Sequence, residues 1–148
     1  MSKGKAERPL INPMDQSLGF QLRRASNAMI ADLSKRLAPL DLTVTKGSIL
    51  LLIDQNPGIT QIQTARVLAV KRANMAPLIS ALEKAGMVSK TRVDGRSHGL
   101  QLTEFGQQMA HKVKVLVDAH ENKFSKRLTA PLLAGMIEEL PAFWRTET

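Results

Sequence analysis

The sequence predicts a mainly α-helical protein with a small β-hairpin wing: a winged helix-turn-helix lobe plus long N- and C-terminal helices suited to pairing two copies. Three observations carry this expectation. Long apolar stripes at three- and four-residue steps bracket the chain, short helices with cap signals follow one another in its middle, and a basic segment of alternating period surrounds Asp94-Gly95.

Taken in order, residues 1–13 hold Lys3, Lys5, Arg8, Pro9 and Pro13 with little to bury, and read as an arm without a fold of its own. From Asp15 to Leu37, the residues Leu18, Leu22, Ala25, Met29, Leu33 and Leu37 recur on one helical face, and Pro39 closes the helix. Thr43 is placed as the N-cap of VTKGSILLLID, where Ile49 to Ile53 is apolar nearly all round and so expected to be buried. Asn56-Pro57-Gly58 turns the chain. TQIQTARVLAV then opens with Thr60 and Gln63 in capping-box spacing and is expected to end near Leu68.

The next stretch, VKRANMAPLISALEKAG, puts Leu78, Leu82 and Ala85 down one side and Gly86 in place to terminate a helix, but carries Pro77 inside it. Proline deletes a hydrogen bond and clashes with the preceding turn in a helix interior. Two placements follow. With Asn74 as N-cap, Pro77 falls in the first turn; with a start at Lys71 or Arg72, it falls in the second and leaves Ala73 without its donor.

Residues 87–102 change period, with VSKTRV and SHGLQL flanking Asp94-Gly95, a dipeptide suited to a two-residue hairpin turn. Thr103 caps another long helix whose stripe is Phe105, Met109, Val113, Leu116, His120 and Phe124. Thr129 starts the last helix with Pro131 in its tolerant first turn, and Pro141 interrupts it before Trp144. The expected division is an arm over 1–13, pairing helices over 14–40 and 104–148, and a DNA-binding lobe over 41–103, all within one domain.

Composition narrows the function classes. The 148 residues carry 21 Lys plus Arg against 13 Asp plus Glu, a net charge of +8 that favours polyanionic partners. No apolar run approaches the roughly 20 residues that span a bilayer, and the N-terminus lacks a secretory apolar region, so no membrane partner and a cytoplasmic protein are expected. The absence of cysteine excludes disulfides, thiolate zinc and thiol redox switching. With 3% aromatic residues and no tyrosine, a base-stacking surface is disfavoured, which points to duplex DNA. The chain has no nucleophile elbow, phosphate loop or H-E-x-x-H, and His98, His111 and His120 lack metal-ligand spacing. Neither an enzyme nor a metal or cofactor is expected. His120, on an apolar stripe, reads as a satisfied core or interface histidine.

In a helix-turn-helix, the N-terminal residues of the second helix meet base edges while its positive dipole end faces phosphates. Lys71, Arg72, Asn74 and Met75 stand at that end, and with Gln61 of the preceding helix and Arg92 and Arg96 of the basic hairpin they are the candidate DNA contacts. Arg72 suits guanine, Asn74 adenine, Met75 a thymine methyl and Lys71 a phosphate.

The run LRRASNAMIADLSKRLAPLDLT, the ALEKAGMV after Pro77, the Asp94-Gly95-Arg96 of the hairpin and the following LTEFG resemble the MarR family of bacterial regulators, in that family's order and spacing over about Leu18 to Leu140. The resemblance implies a homodimer whose first and last helices interlock over a palindromic operator. It also implies a wing whose Arg96 enters the minor groove, with Asp94 steadying it, and a recognition helix with Pro77 in its second turn. Met75-Ala76-Pro77 departs from the polar residues many members carry there.

Members commonly bind phenolic or carboxylate-bearing molecules in a cleft between the pairing helices and the DNA-binding lobe. Phe20, Arg23, Arg24 and Asn27, away from the first helix's apolar stripe, are the candidate ligand-binding surface, with His111 as a further cleft candidate and Ile49 and Ile53 as cleft candidates whose first expected place is the core. The expected function is a ligand-responsive regulator, a repressor released by a small aromatic acid or phenolic effector. A non-specific architectural DNA-binding protein without an effector is the alternative.

Overall fold

The structure, a computed structural model, describes residues 9–92 and 98–145. Among the described residues, six α-helices and three short strands run in the order α1 (Leu18–Leu37), α2 (Val44–Gln55), β1 (Ile59–Thr60), α3 (Gln61–Val67), α4 (Arg72–Lys84), β2 (Val88–Arg92), β3 (His98–Leu102), α5 (Glu104–Ser125) and α6 (Ala130–Glu139). Single 3-10 turns, Ala38–Leu40 and Leu140–Phe143, follow α1 and α6.

Helix α1 begins at Leu18, three residues after the expected start at Asp15. Asn12 holds the preceding residues in a side-chain-capped turn: its Oδ1 accepts from Met14 N at 3.1 Å and its Nδ2 donates to Asp15 Oδ1 at 2.6 Å. Asp15 O in turn accepts from Gln21 Nε2 at 2.7 Å. Local side-chain bonds of this kind compete with helical ones.

Thr43, Thr60 and Thr103 cap α2, α3 and α5, each hydroxyl accepting from the backbone N–H three residues on. Thr60 and Gln63 complete the reciprocal capping box. Thr129 stands before α6 without a side-chain cap bond, the Pro131 ring occupying that helix's first turn.

The three strands form one antiparallel sheet in the order β1-β3-β2, with Thr91 opposite Gly99 and Arg92 opposite His98. Strand β1 is an addition to the expected hairpin: two residues are too short to show a period, and Ile59 pairs with Leu100 only once the chain has folded. Asp94-Gly95, where the hairpin turn is expected, lies outside the described residues.

The core gathers where α2 crosses α5 and meets α4 and β3: Ile49, Leu50, Ile53, Ile79, Leu100 and Val113 are each at most 1% exposed. Two glycines set close approaches there. A Cβ on Gly106 would lie 1.9 Å from the Met87 carbonyl oxygen, and one on Gly47 would lie 3.2 Å from Leu37 Cδ1. Thr103 ties the same junction, its hydroxyl donating to Gly86 O at 2.5 Å and its N–H to Met87 O at 3.1 Å. The ends of ALEKAGMV and LTEFG thus meet in space, which gives those spacings a physical cause.

Candidate DNA interface and effector surface

Helices α3 and α4 are joined by a turn that closes on itself. Val70 N donates to Ala65 O at 2.9 Å, Ala69 takes a left-handed φ of 52°, and Lys71 becomes the N-cap of α4 with an extended ψ of 139°. Helix α4 starts at Arg72, so Pro77 sits in its second turn, inside the helix. Asn74 is not its N-cap. Because proline has no N–H, Ala73 O receives nothing from residue 77.

Met75, Ile79 and Leu82 seat α4 on the core, which leaves Arg72, Ala73, Asn74, Ala76, Pro77, Ser80 and Lys84 exposed. This corrects the expected base contact at Met75. Its side chain is 0% exposed, because the face running 75, 79, 82 is the one that packs, so it has no surface to offer a thymine methyl. Ala85, expected beside Leu78 and Leu82 on the apolar side, is exposed.

Lys71, Arg72 and Asn74 emerge together at the start of α4, where the helix dipole is positive. Gln61, at the first position of α3, lines one small depression with Ile62, Ala65 and Arg72, so α3 and α4 bring those two candidate contacts together. Arg92 is exposed at the end of β2, while Asp94 and Arg96 lie outside the described residues. Lys90 is committed elsewhere, its Nζ 2.9 Å from Glu83 Oε2 of α4, a pairing that ties wing to helix. Arg66, not among the candidate contacts, is exposed on α3 and shares a depression with Arg72 and Val70.

On α1, Phe20, Arg23, Arg24 and Asn27 come together as the spacing predicts. With Ala28 they line a shallow, open depression of about 590 Å³, and the guanidinium carbons of Arg23 and Arg24 lie 5.6 and 5.7 Å from the Phe20 ring centroid. An aromatic face flanked by two guanidinium forks can stack a ring and hold an anionic group. Three other candidates are not part of it. Ile49 and Ile53 are 0% exposed, because α2 is enclosed by α5 and the sheet, and their place is in the core. His111 is exposed on α5 and does not line the depression.

His120 is 2% exposed and joins α5 to α1: its Nδ1 lies 2.9 Å from Asp32 Oδ2, and its ring meets Phe124 at a tilt of 58° with a centroid distance of 5.0 Å. Arg36 Nε donates to the same carboxylate at 2.7 Å, and Lys123 Nζ donates to its other oxygen. Hydrogen bonds from His120, then Lys123, then Arg36 hold the Asp32 carboxyl well below the usual carboxylate range, against the smaller opposing effect of desolvation. Among the described residues no group of His, Asp or Glu is placed to hold a metal, and no helix is long and apolar enough to cross a membrane.

A family model described as the MarR family matches residues 42–98. The HTH-type transcriptional repressor Rv2887 of Mycobacterium tuberculosis is 32% identical over 119 residues, covering 79% of this chain and 86% of the relative. Its solved structure in complex with salicylic acid superposes with a TM-score of 0.68 at 30% identity, covering 87% of this chain and 97% of that one. The transcriptional repressor CouR bound to a 23-mer DNA duplex gives a TM-score of 0.84 at 32% identity, over 93% of this chain and 99% of that one. Bound to p-coumaroyl-CoA, CouR gives 0.82 at 30% identity, over 95% and 100%.

Proposed function

The chain belongs to the MarR family of transcriptional regulators, non-enzymatic DNA-binding proteins that act as dimers, and from that premise we propose that it represses from a promoter palindrome and is released by an aromatic, anionic effector. One observation carries the DNA half of this proposal. Lys71, Arg72 and Asn74 are presented side by side by a helix whose opposite face, Met75, Ile79 and Leu82, is locked in the core, and among the described residues no carboxylate neutralises Lys71 or Arg72. A rigid helix N-terminus bearing free donors is what base-edge readout in the major groove requires.

The lobe over 41–103 then supplies the contacts, and the helices over 14–40 and 104–148 pair the copies. Two recognition helices in a dimer must match half-sites about 34 Å apart. The effector acts by favouring a dimer whose helices no longer match that spacing, which demands a differential affinity of roughly 5.5 kcal/mol for a near-complete switch. Its chemistry is supported by Phe20 beside Arg23 and Arg24, and by relatives solved with salicylic acid, an aromatic carboxylic acid, and with p-coumaroyl-CoA, an aromatic acyl thioester whose charge lies on its phosphates.

The test is competition binding of the full chain to a palindrome selected from random duplex, against its half-site and against random sequence. The proposal requires a preference over random duplex of roughly a thousandfold or more. Equal affinity for all sequences would instead favour an architectural protein. Titrating the protein–operator complex with salicylate and with hydroxycinnamoyl thioesters should release DNA, and Arg24→Ala should weaken that release; an unaltered response would remove Arg24 from the effector site.

A further inference from the structure

The groove between α3 and α4 carries a cation to which the recognition surface so far assigns no task. Arg66 is exposed near the end of α3, and among the described residues no carboxylate lies within ion-pair distance of it. On one flank it lines a depression of about 220 Å³ with Ile62, Val70 and Arg72; on the other it lines one of about 500 Å³ with Asn56, Gly58 and Gln63. Arg66 is the side chain common to both, a ridge between two hollows. Ile62 stands half in water at 47% exposure, on the α4 side of that ridge.

The side chains lining the groove include two guanidinium groups and no acid, so an anion is its natural occupant. The first helix of a helix-turn-helix crosses the sugar-phosphate backbone while the second enters the groove. An arginine fork matches two oxygens of a phosphodiester and keeps its charge at all working pH. A half-exposed isoleucine beside it offers an apolar wall of the kind a deoxyribose can cover.

We propose that Arg66 grips a backbone phosphate of the operator strand running along the α3–α4 groove, with Ile62 packed on the adjoining deoxyribose, so that α3 as well as α4 sets the register of the lobe on duplex DNA. The assignment rests on the DNA-binding function proposed above. It makes Arg66 a positioning contact, blind to sequence, and leaves base readout to Arg72 and Asn74.

The experiment uses the full-length protein and its selected operator, with affinity measured across a range of salt. Arg66→Gln should weaken operator and random duplex alike, roughly tenfold, and reduce the salt slope by about 1. Single phosphodiesters are then replaced in turn by neutral methylphosphonates. One replacement should weaken the wild type and leave Arg66→Gln unchanged. Ile62→Ser should lower affinity without altering the slope. A full salt slope in Arg66→Gln would overturn the assignment, as would methylphosphonate effects identical in wild type and variant. A wild type without preference for any duplex would overturn the regulator function itself, and this contact with it.

Discussion

Lys71 and Arg72 are neighbours, yet they stand in different backbone states: Lys71 is the extended cap of α4 and Arg72 its first helical residue. Their losses should therefore differ. Arg72→Ala is expected to cost about 1 to 3 kcal/mol of operator affinity and to relax discrimination at one base position, whereas Lys71→Ala should weaken all sequences and flatten the salt dependence; binding to single-base operator variants, measured across a range of salt, reads both. Asp32 makes a different prediction. Its carboxyl titrates lower in the folded chain than its ordinary value near 3.8, so the ion cluster's contribution is fully present above that value and is lost as pH falls toward the folded one. Asp32→Asn should be less stable than the wild type at neutral pH and should lose stability less steeply on acidification, as acid titration of unfolding would reveal. His120, placed by its stripe position as a satisfied buried histidine, is buried against that carboxylate. Met75 shows the opposite outcome: its neighbours in sequence, Asn74 and Ala76, are exposed, and only the packed face of α4 turns it inward.

At the scale of elements, α4 carries a defect that the fold tolerates. Pro77 removes one intrahelical donor in the second turn, a loss of about 3 kcal/mol in a free helix interior, and buried Met75, Ile79 and Leu82 offset it by anchoring the turns on either side. Pro77→Ala should raise the unfolding free energy by about 1 to 3 kcal/mol in denaturant melts. The same substitution should also change operator affinity, because residue 77 is on the exposed side of α4. The junction of β2 with α5 has no such tolerance. Gly106→Ala would drive a methyl into the Met87 carbonyl, and the helix start is fixed there by Thr103, so a loss of about 3 kcal/mol or more is expected by equilibrium unfolding. The sequence marks Thr103 as a cap and Gly86 as a stop, both local properties. It does not mark Gly106 as a contact, since the atom that excludes a side chain belongs to a residue nineteen positions earlier.

For the whole molecule, the last described helix is the element least packed against the rest of the chain. Helix α6 buries none of its ten residues, and Leu132, Ile137, Phe143 and Trp144 are each more than half exposed. Such a helix is marginal alone, and the interlocking with a second copy proposed above would supply the packing it lacks. Ile137→Asp should shift the dimer toward monomer in sedimentation equilibrium while leaving the lobe folded, and should abolish preference for the palindrome over its half-site. Much of this was legible beforehand, because stripe period, cap spacing and charge excess are written in neighbouring residues: the six helices, the basic lobe and the Phe20–Arg23–Arg24 surface follow from them. The short strand β1, the inward turn of Met75 and the placing of Arg66 beside Arg72 required the tertiary structure. Local pattern determines which segments are helices and which way each is amphipathic; the rotation of one helix against another is settled by packing between residues far apart in sequence, and that rotation chooses which side chains DNA can reach.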